Sequence, residues 1–314
     1  MRILLSILAP VVCLAQSSYT YYLTGSSADV QRTTGGGAML MGGGTDVDDA
    51  FRWFIGKSGG GDIVVIRASG SDGYNPYIMS LGTVDSVESI VFRTKSASSD
   101  SFVLDKIRKA EGLFLAGGDQ ADYVRLWKDT PVEDAIRELV GRGVPVGGTS
   151  AGLAVLGQFF FSAEKGTVDS DEALRNPYNF RMTLGRDFLD VPELASVITD
   201  SHFGQRDRLG RLVTFLARLM QDRWSMSPRG IGIDEQTAVL VEPGGAASIV
   251  GVGQAWFLKP TVNPTVCQSR TPLTFTGVQL YRVRKTGSFD VASWTGAGGT
   301  AETVNVNNGV LTRQ

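Results

Sequence analysis

The residues of this chain that could do acyl-transfer chemistry are one serine, one histidine and a pair of carboxylates, each at the end of a short apolar run. The serine lies in Gly148-Thr149-Ser150-Ala151-Gly152, between the run Val144-Pro145-Val146 and a second run, Leu153 to Leu156. Gly-x-Ser-x-Gly between a strand and a helix has the form of a nucleophile elbow. Small flanking residues allow close backbone approach around a strained turn. The N–H groups opening the next helix favour negative charge beside the hydroxyl. An ordinary Gly/Ser-rich turn would read the same way, so the motif alone leaves both possibilities open.

A serine nucleophile needs a base, and histidine is the usual one. The chain holds a single histidine, His202. A lone histidine is more often a satisfied structural group. Here it sits just past the apolar pair Val197-Ile198, at the end of an expected strand, where open parallel sheets form their sites. Two further apolar runs end in suggestive residues. Leu113 to Ala116 runs into Gly117-Gly118-Asp119-Gln120, and Gly230 to Ile233 runs into Asp234-Glu235. On a strand, Asp234 and Glu235 would face opposite ways.

The elements that must carry these groups alternate. Ala38–Met41, Asp62–Ile66, Ser89–Phe92, Gly112–Ala116 and Val144–Val146 read as buried strands. Helices are expected over Val47–Ile55, near Phe102–Ala110, and over Gln120–Trp127 and Val132–Arg142. Alternation of this kind implies a parallel sheet covered on both faces. Thr45 or Asp46 is the expected cap of the first helix. Gly42-Gly43-Gly44 before that helix lacks both the dinucleotide and the P-loop spacing, and is expected to line the rim of the cleft rather than hold phosphate. Later, 164–191 reads as an irregular surface insertion and Gln205–Met220 as an amphipathic helix. Gly230–Ile233 and Val239–Val241 read as paired strands. From Ala247 onward the pattern turns to β. Asn307-Asn308-Gly309 suggests a final hairpin, in a tail expected to be loosely attached.

Composition bounds the function. Of 314 residues, 30 are Lys or Arg and 32 are Asp or Glu, a net charge of −2 with the basic residues dispersed, which argues against a nucleic-acid surface. Met1-Arg2 followed by an apolar run from Ile3 to Leu14 and Ala15 has the form of a secretory signal segment. It is too short to span a membrane. Cleavage after Ala15 and export to a secreted or periplasmic location are expected, with no membrane attachment afterwards. Cys13 is disfavoured as a lipid anchor because Val12 is not small. The mature chain would keep only Cys267 and so could form no intrachain disulfide. One histidine and two cysteines cannot build a Cys/His zinc site, and no metal or cofactor is expected. The expected organisation is a signal segment at 1–15, an α/β domain at 16–284 and a β/loop extension at 285–314.

Four segments, GGDQ (Gly117–Gln120), GGTSAG (Gly147–Gly152), DSHF with QRDRLGRL (Asp200–Leu212) and GIGIDE (Gly230–Glu235), occur in an order that resembles the cyanophycinase-like serine peptidases, relatives of the aspartyl dipeptidases. The resemblance spans roughly Gly42 to Val252. It implies a three-layer α/β/α sandwich with a mostly parallel sheet, class I glutamine amidotransferase-like, with extra C-terminal strands. It implies Ser150 as nucleophile, His202 as base and Glu235 as the group that orients the imidazole. The backbone N–H groups of Gly118 and Ala151 would form the oxyanion hole. Gln120, Asp200, Ser201, Arg206, Arg208 and Arg211 would bind substrate; arginine suits bidentate capture of carboxylates. Taken without the resemblance, three arginines at a helix start read as a solvated face. The family usually has Gln directly before the histidine, where this chain has Ser201. The shorter side chain reshapes the pocket, so the expected class is a peptide or isopeptide with an aspartyl residue at the cleaved bond, rather than cyanophycin itself. A homodimer is expected by analogy. Two rival expectations are an α/β-hydrolase esterase using Asp187 or Asp190 as its acid, and a non-catalytic binding protein of the same fold.

Overall fold

The computed structural model describes residues 17–314; the expected signal segment and Cys13 lie outside the described residues. In chain order the first half contains β1 (Tyr19–Gly25), β2 (Ala38–Met41), α1 (Asp48–Lys57), β3 (Asp62–Arg67), α2 (Tyr74–Leu81), β4 (Ser86–Phe92), α3 (Ser101–Lys109), β5 (Gly112–Leu115), α4 (Gln120–Trp127), α5 (Pro131–Gly141), β6 (Val146–Thr149) and α6 (Ala151–Ala154). The second half contains β7 (Phe159–Phe161), α7 (Ser170–Arg175), β8 (Leu184–Arg186), β9 (Val197–Asp200), α8 (Leu209–Gln221), β10 (Arg229–Ile233), β11 (Thr237–Val241), β12 (Ala246–Gly251), β13 (Ala255–Pro260), β14 (Phe275–Val283), β15 (Ser288–Asp290), β16 (Thr295–Ala297), β17 (Thr300–Asn307) and β18 (Val310–Arg313).

Strands β4, β3, β5, β6 and β2 lie side by side in parallel. Their side chains alternate between two cores, as a period of two requires. Leu40, Val64, Ile66, Leu113 and Leu115 join the core under α3, α4 and α5. Met39, Met41, Ile63, Val65 and Phe114 join the core under α1 and α2. Burial on both faces explains why these strands read as continuous apolar runs. This is the expected α/β/α sandwich. Antiparallel strands extend it, β1 at one edge and β11, β12, β15 and β16 at the other.

The expected pairing of Gly230–Ile233 with Val239–Val241 needs correction. Strands β9 and β10 belong to a second sheet, ordered β18-β17-β14-β13-β10-β9-β7-β8. Val197 faces the core shared with the first sheet, while Ile198 faces a core built with α8. β10 does not pair with β11. It pairs with β9 and β13, and β11 pairs with β2 and β12. The physical cause is the crossing at Asp234-Glu235-Gln236, where Gln236 adopts a positive φ of 54° and the chain steps from one sheet to the other.

Other expectations shift at their ends. The cap of α1 is Val47, which makes no side-chain bond, and Asp46 instead accepts from the Tyr74 hydroxyl. α8 starts at Leu209 rather than Gln205, because the preceding residues form a turn in which Arg208 N–H donates to Phe203 C=O. The 164–191 stretch holds α7 and β8. The tail is not loose: Phe289, Val291, Val304 and Val306 are buried in the two main cores. β17 and β18 do form a hairpin, with Asn308 and Gly309 both at positive φ, as a type I′ turn requires.

Candidate active site

Ser150 follows β6 directly and caps α6 with φ 52° and ψ −112°, the strained turn that Gly148 and Gly152 permit. A Cβ on Gly152 would lie 2.0 Å from the Leu115 carbonyl oxygen, and one on Gly148 would meet the Gly152 backbone at 2.6 Å. The helix therefore starts tight against two strands, and its first turn cannot move away from the serine. Ser150 N–H is held by Met41 C=O at 3.1 Å.

His202 lies just beyond β9, also at positive φ, with its N–H donating to Gly42 C=O at 2.7 Å. Its Nε2 is 2.7 Å from Ser150 Oγ, and its Nδ1 is 2.6 Å from Glu235 Oε1. Glu235 N–H donates to Gln205 Oε1 at 2.9 Å, tying the acid to the turn that follows the histidine. Three strand ends, drawn from two sheets, thus bring hydroxyl, imidazole and carboxylate into line. Burial lowers the His202 pKa from its ordinary 6.5; Glu235 works against this, and the positive charges of Arg206 and Arg208 add to it. A depressed value leaves the imidazole neutral at neutral pH, the state that can accept a proton.

The glycine loop before α1 closes the other side of the ring. A Cβ on Gly43 would sit 2.5 Å from His202 Cε1, and one on Gly44 would sit 3.1 Å from Glu235 Cβ. Residues far apart in sequence thus share one wall. The three consecutive glycines are the sequence signal for this wall, and they line more than the rim of the cleft. Asp234 has a part that its place beside Glu235 does not reveal in the sequence. It is buried and accepts hydrogen bonds from Gly204 N–H, Gln254 N–H and Trp256 Nε1–H.

Ala151 opens its helix, so its N–H has no intrahelical acceptor. Gly118 lies at the exposed end of the loop after β5, and a Cβ built on neighbouring Gly117 would contact the Ser150 Cβ at 3.5 Å. Ala151 is the chain neighbour of Ser150, and Gly118 is the chain neighbour of the glycine that packs against it.

Beside them lies a cavity of about 360 Å³ lined by Gly118, Gln120, Thr167, Ser170, Arg206 and Arg208, among others. Gln120 is partly buried, with its Nε2 3.5 Å from Phe161 C=O. Arg206 is exposed and makes no ion pair among the described residues. Arg208 donates to Ser201 C=O at 2.7 Å and to Asp200 at 3.2 Å. Burial brings Arg208 down to about 10, so it keeps its charge at neutral pH.

Asp200, expected to bind substrate, is instead taken up by internal bonds, whereas Arg211 both lines the cavity and holds Asp200. Arg211 clasps Asp200 through two bonds of 2.7 and 2.6 Å, each side chain is only 3% exposed, and Arg211 also donates to Thr167 and Val168. Burial disfavours the Asp200 carboxylate, yet Arg211 and Arg208 hold its pKa below the usual range. Asp200 spends its acceptors on these arginines and on Ser201 N–H, which leaves little for a ligand. Ser201 is itself buried. Asp187 and Asp190, the acids of the esterase alternative, sit elsewhere: Asp190 pairs with Arg137, and the His202 Nδ1 is occupied by Glu235.

Residues 34–249 match the profile of Peptidase family S51. This chain belongs to that family. Among curated relatives, it is 32% identical over 202 residues to a cyanophycinase of Trichormus variabilis (strain ATCC 29413 / PCC 7937), covering 63% of this chain and 62% of the relative. It is 32% identical over 162 residues to a cyanophycinase of Geminocystis herdmanii (strain PCC 6308), covering 51% and 54%. The chain thus spans less than two thirds of the length of these relatives. A solved peptidase from an acI-B1 Actinobacterium superposes with a TM-score of 0.53 at 16% identity, covering 82% of this chain and 98% of that one, which supports the shared fold. Strands β13 to β18 follow the S51 match.

Proposed function

We propose that this S51 chain is a serine-type peptidase that hydrolyses peptide or isopeptide bonds at an aspartyl residue through an acyl-enzyme. The observation that carries this reading is the continuous line from Ser150 Oγ through the His202 ring to Glu235, with contacts of 2.7 and 2.6 Å. Ser150 Oγ bonds to the carbonyl carbon as its proton passes to His202 Nε2. The C–N bond then breaks, and the amine leaves with that proton. Water next gives a proton to His202 and bonds to the acyl carbon. The C–Oγ bond breaks, the acid leaves, and Oγ regains its proton. Glu235 keeps Nδ1 protonated and stabilises the imidazolium between these steps. The Gly118 and Ala151 N–H groups are the donors assigned to the oxyanion; one such donor is worth about 3–4 kcal/mol in the transition state.

Arg206 supports an acidic substrate: it lines the cavity, is exposed, and is not paired with an acid among the described residues. Arg208 lends a second positive charge from the cavity wall, while Asp200 and Arg211 set the position of that wall. Gln120, which also lines the cavity, completes the substrate contacts. The cyanophycinases among the relatives make a β-linked Asp–Arg bond the first substrate to try. The apolar run Ile3–Leu14 supports export before this activity is exercised.

The test is parallel incubation of wild type and Ser150→Ala with β-Asp–Arg dipeptide, α-aspartyl dipeptides and cyanophycin. Cleavage of at least one aspartyl substrate by wild type alone supports the reading. No cleavage, together with no labelling of Ser150 by a serine-directed phosphonate, would leave the binding-protein alternative in its place.

A further inference from the structure

The histidine loop is gripped from a direction that the S51 match does not cover. Asp234 Oδ1 accepts from Gly204 N–H, two residues past His202, and from Trp256 Nε1–H, both at 2.9 Å. Its Oδ2 accepts from Gln254 N–H at 3.0 Å. Asp234 is buried, and each bond carries charge assistance. It is also the chain neighbour of Glu235, whose carboxylate holds His202 Nδ1. One carboxylate therefore fixes the loop bearing the imidazole and the backbone bearing its acid partner.

The grip continues outward. Arg282 of β14 lies over the Trp256 ring, 5.2 Å from its centre, and donates to Gln254 Oε1. Glu302 of β17 pairs with Arg282. Phe203 packs against Trp256 with ring centres 5.3 Å apart, so the loop meets β13 through a second contact. Gln254, Trp256, Arg282 and Glu302 all lie beyond residue 249, where the family match ends.

We propose that Asp234 and Trp256 are positioning residues for the His202–Glu235 pair, and that the strands β13, β14 and β17 serve the reaction by holding them. This rests on His202 being the base of the proposed peptidase. Removing the Trp256 donor frees one bond at Asp234 and lets the 202–204 turn drift. A catalytic group displaced by even a fraction of an ångström lowers turnover more than binding, because proton transfer depends most steeply on its position.

Trp256→Phe keeps an aromatic ring against Phe203 and removes only the N–H. The expected result is a fall in kcat of roughly tenfold with KM little changed. Because the chain has one histidine, the downfield proton of its hydrogen-bonded Nδ1–H can be followed by NMR without further assignment. That resonance is expected to shift or broaden in Trp256→Phe, and in the more distant Glu302→Gln to a smaller degree. Tm should stay near wild type for Glu302→Gln, which keeps the test open if the first variant folds poorly. Wild-type kcat together with an unmoved Nδ1–H resonance in both folded variants would overturn the proposal. The resonance is read on resting protein. A wild type that cleaves no aspartyl substrate but shows the shift in the variants would count against the substrate reading and in favour of this one.

Discussion

Gly43→Ala tests how tightly the imidazole is boxed in. The added Cβ would lie 2.5 Å from His202 Cε1 and 2.6 Å from Nε2, the atom that faces Ser150. Ordinary carbon contacts lie at about 3.5–4.0 Å, so roughly 1 Å must be recovered. The ring has nowhere to yield without breaking something. Ser150 and Glu235 hold its two nitrogens, and Gly42 C=O holds the backbone of His202. A misplacement of about 1 Å costs on the order of 100-fold in rate, or about 2.7 kcal/mol of barrier. Gly43 also has φ +95°, where alanine is strained, which adds about 1–2 kcal/mol of lost stability. Gly44→Ala is the matched control. Its φ is +76°, so it shares the backbone strain, but its Cβ meets Glu235 at a milder 3.1 Å. The assay is kcat and KM on a cleaved aspartyl dipeptide, with Tm for each variant. We expect both variants to lose similar stability and Gly43→Ala to lose far more kcat. Equal kcat in the two variants, or wild-type kcat in a folded Gly43→Ala, would refute the boxed-ring reasoning.

Three further outcomes follow from the same geometry. The acid limb of kcat/KM should fall below pH 6.5, the ordinary histidine value, because His202 is depressed by burial and by Arg206 and Arg208. Arg206→Gln removes a positive charge that opposes protonation of the ring, so the His202 pKa rises and the acid limb shifts to higher pH, activity being lost sooner as pH falls; a pH–rate profile that does not move would contradict this. Glu235→Gln should lower kcat by about 10³–10⁴-fold while KM stays close to wild type, whereas Asp187→Asn and Asp190→Asn should leave steady-state rates near wild type. Asp200→Ala strands the buried Arg211 guanidinium and should cost about 3–5 kcal/mol in urea unfolding; a stable variant with only a raised KM would return Asp200 to the substrate-binding group.

The parallel half of the fold was legible because strands such as Ile63–Ile66 and Leu113–Leu115 are buried on both faces and show as unbroken apolar runs. The serine turn was legible for a similar reason: Gly148 and Gly152 stand where no side chain fits, and that need is written into the local sequence. The lone histidine and the Asp234-Glu235 pair pointed to a site without showing how they meet. What did not show was anything set by long-range partnership. Gly43 lies against a ring more than a hundred residues later in the chain. Asp200 looks like a substrate ligand until the fold buries it against Arg211. The step between sheets at Gln236 occupies three residues with no apolar pattern, so β10 and β11 looked like neighbours. The tail, rich in Gly, Thr and Asn, hides few but fully buried anchors, Val304 and Val306 among them.

The most direct test of the central claim is to trap the acyl-enzyme. Wild type is mixed with an activated ester of an aspartyl peptide, quenched in acid within the first turnover, and mapped by peptide mass spectrometry. The expected result is an acyl group on the peptide containing Ser150, absent from Ser150→Ala and accumulating with a burst of the leaving alcohol. Turnover that persists in Ser150→Ala, with no acyl group on the wild-type serine, would contradict it.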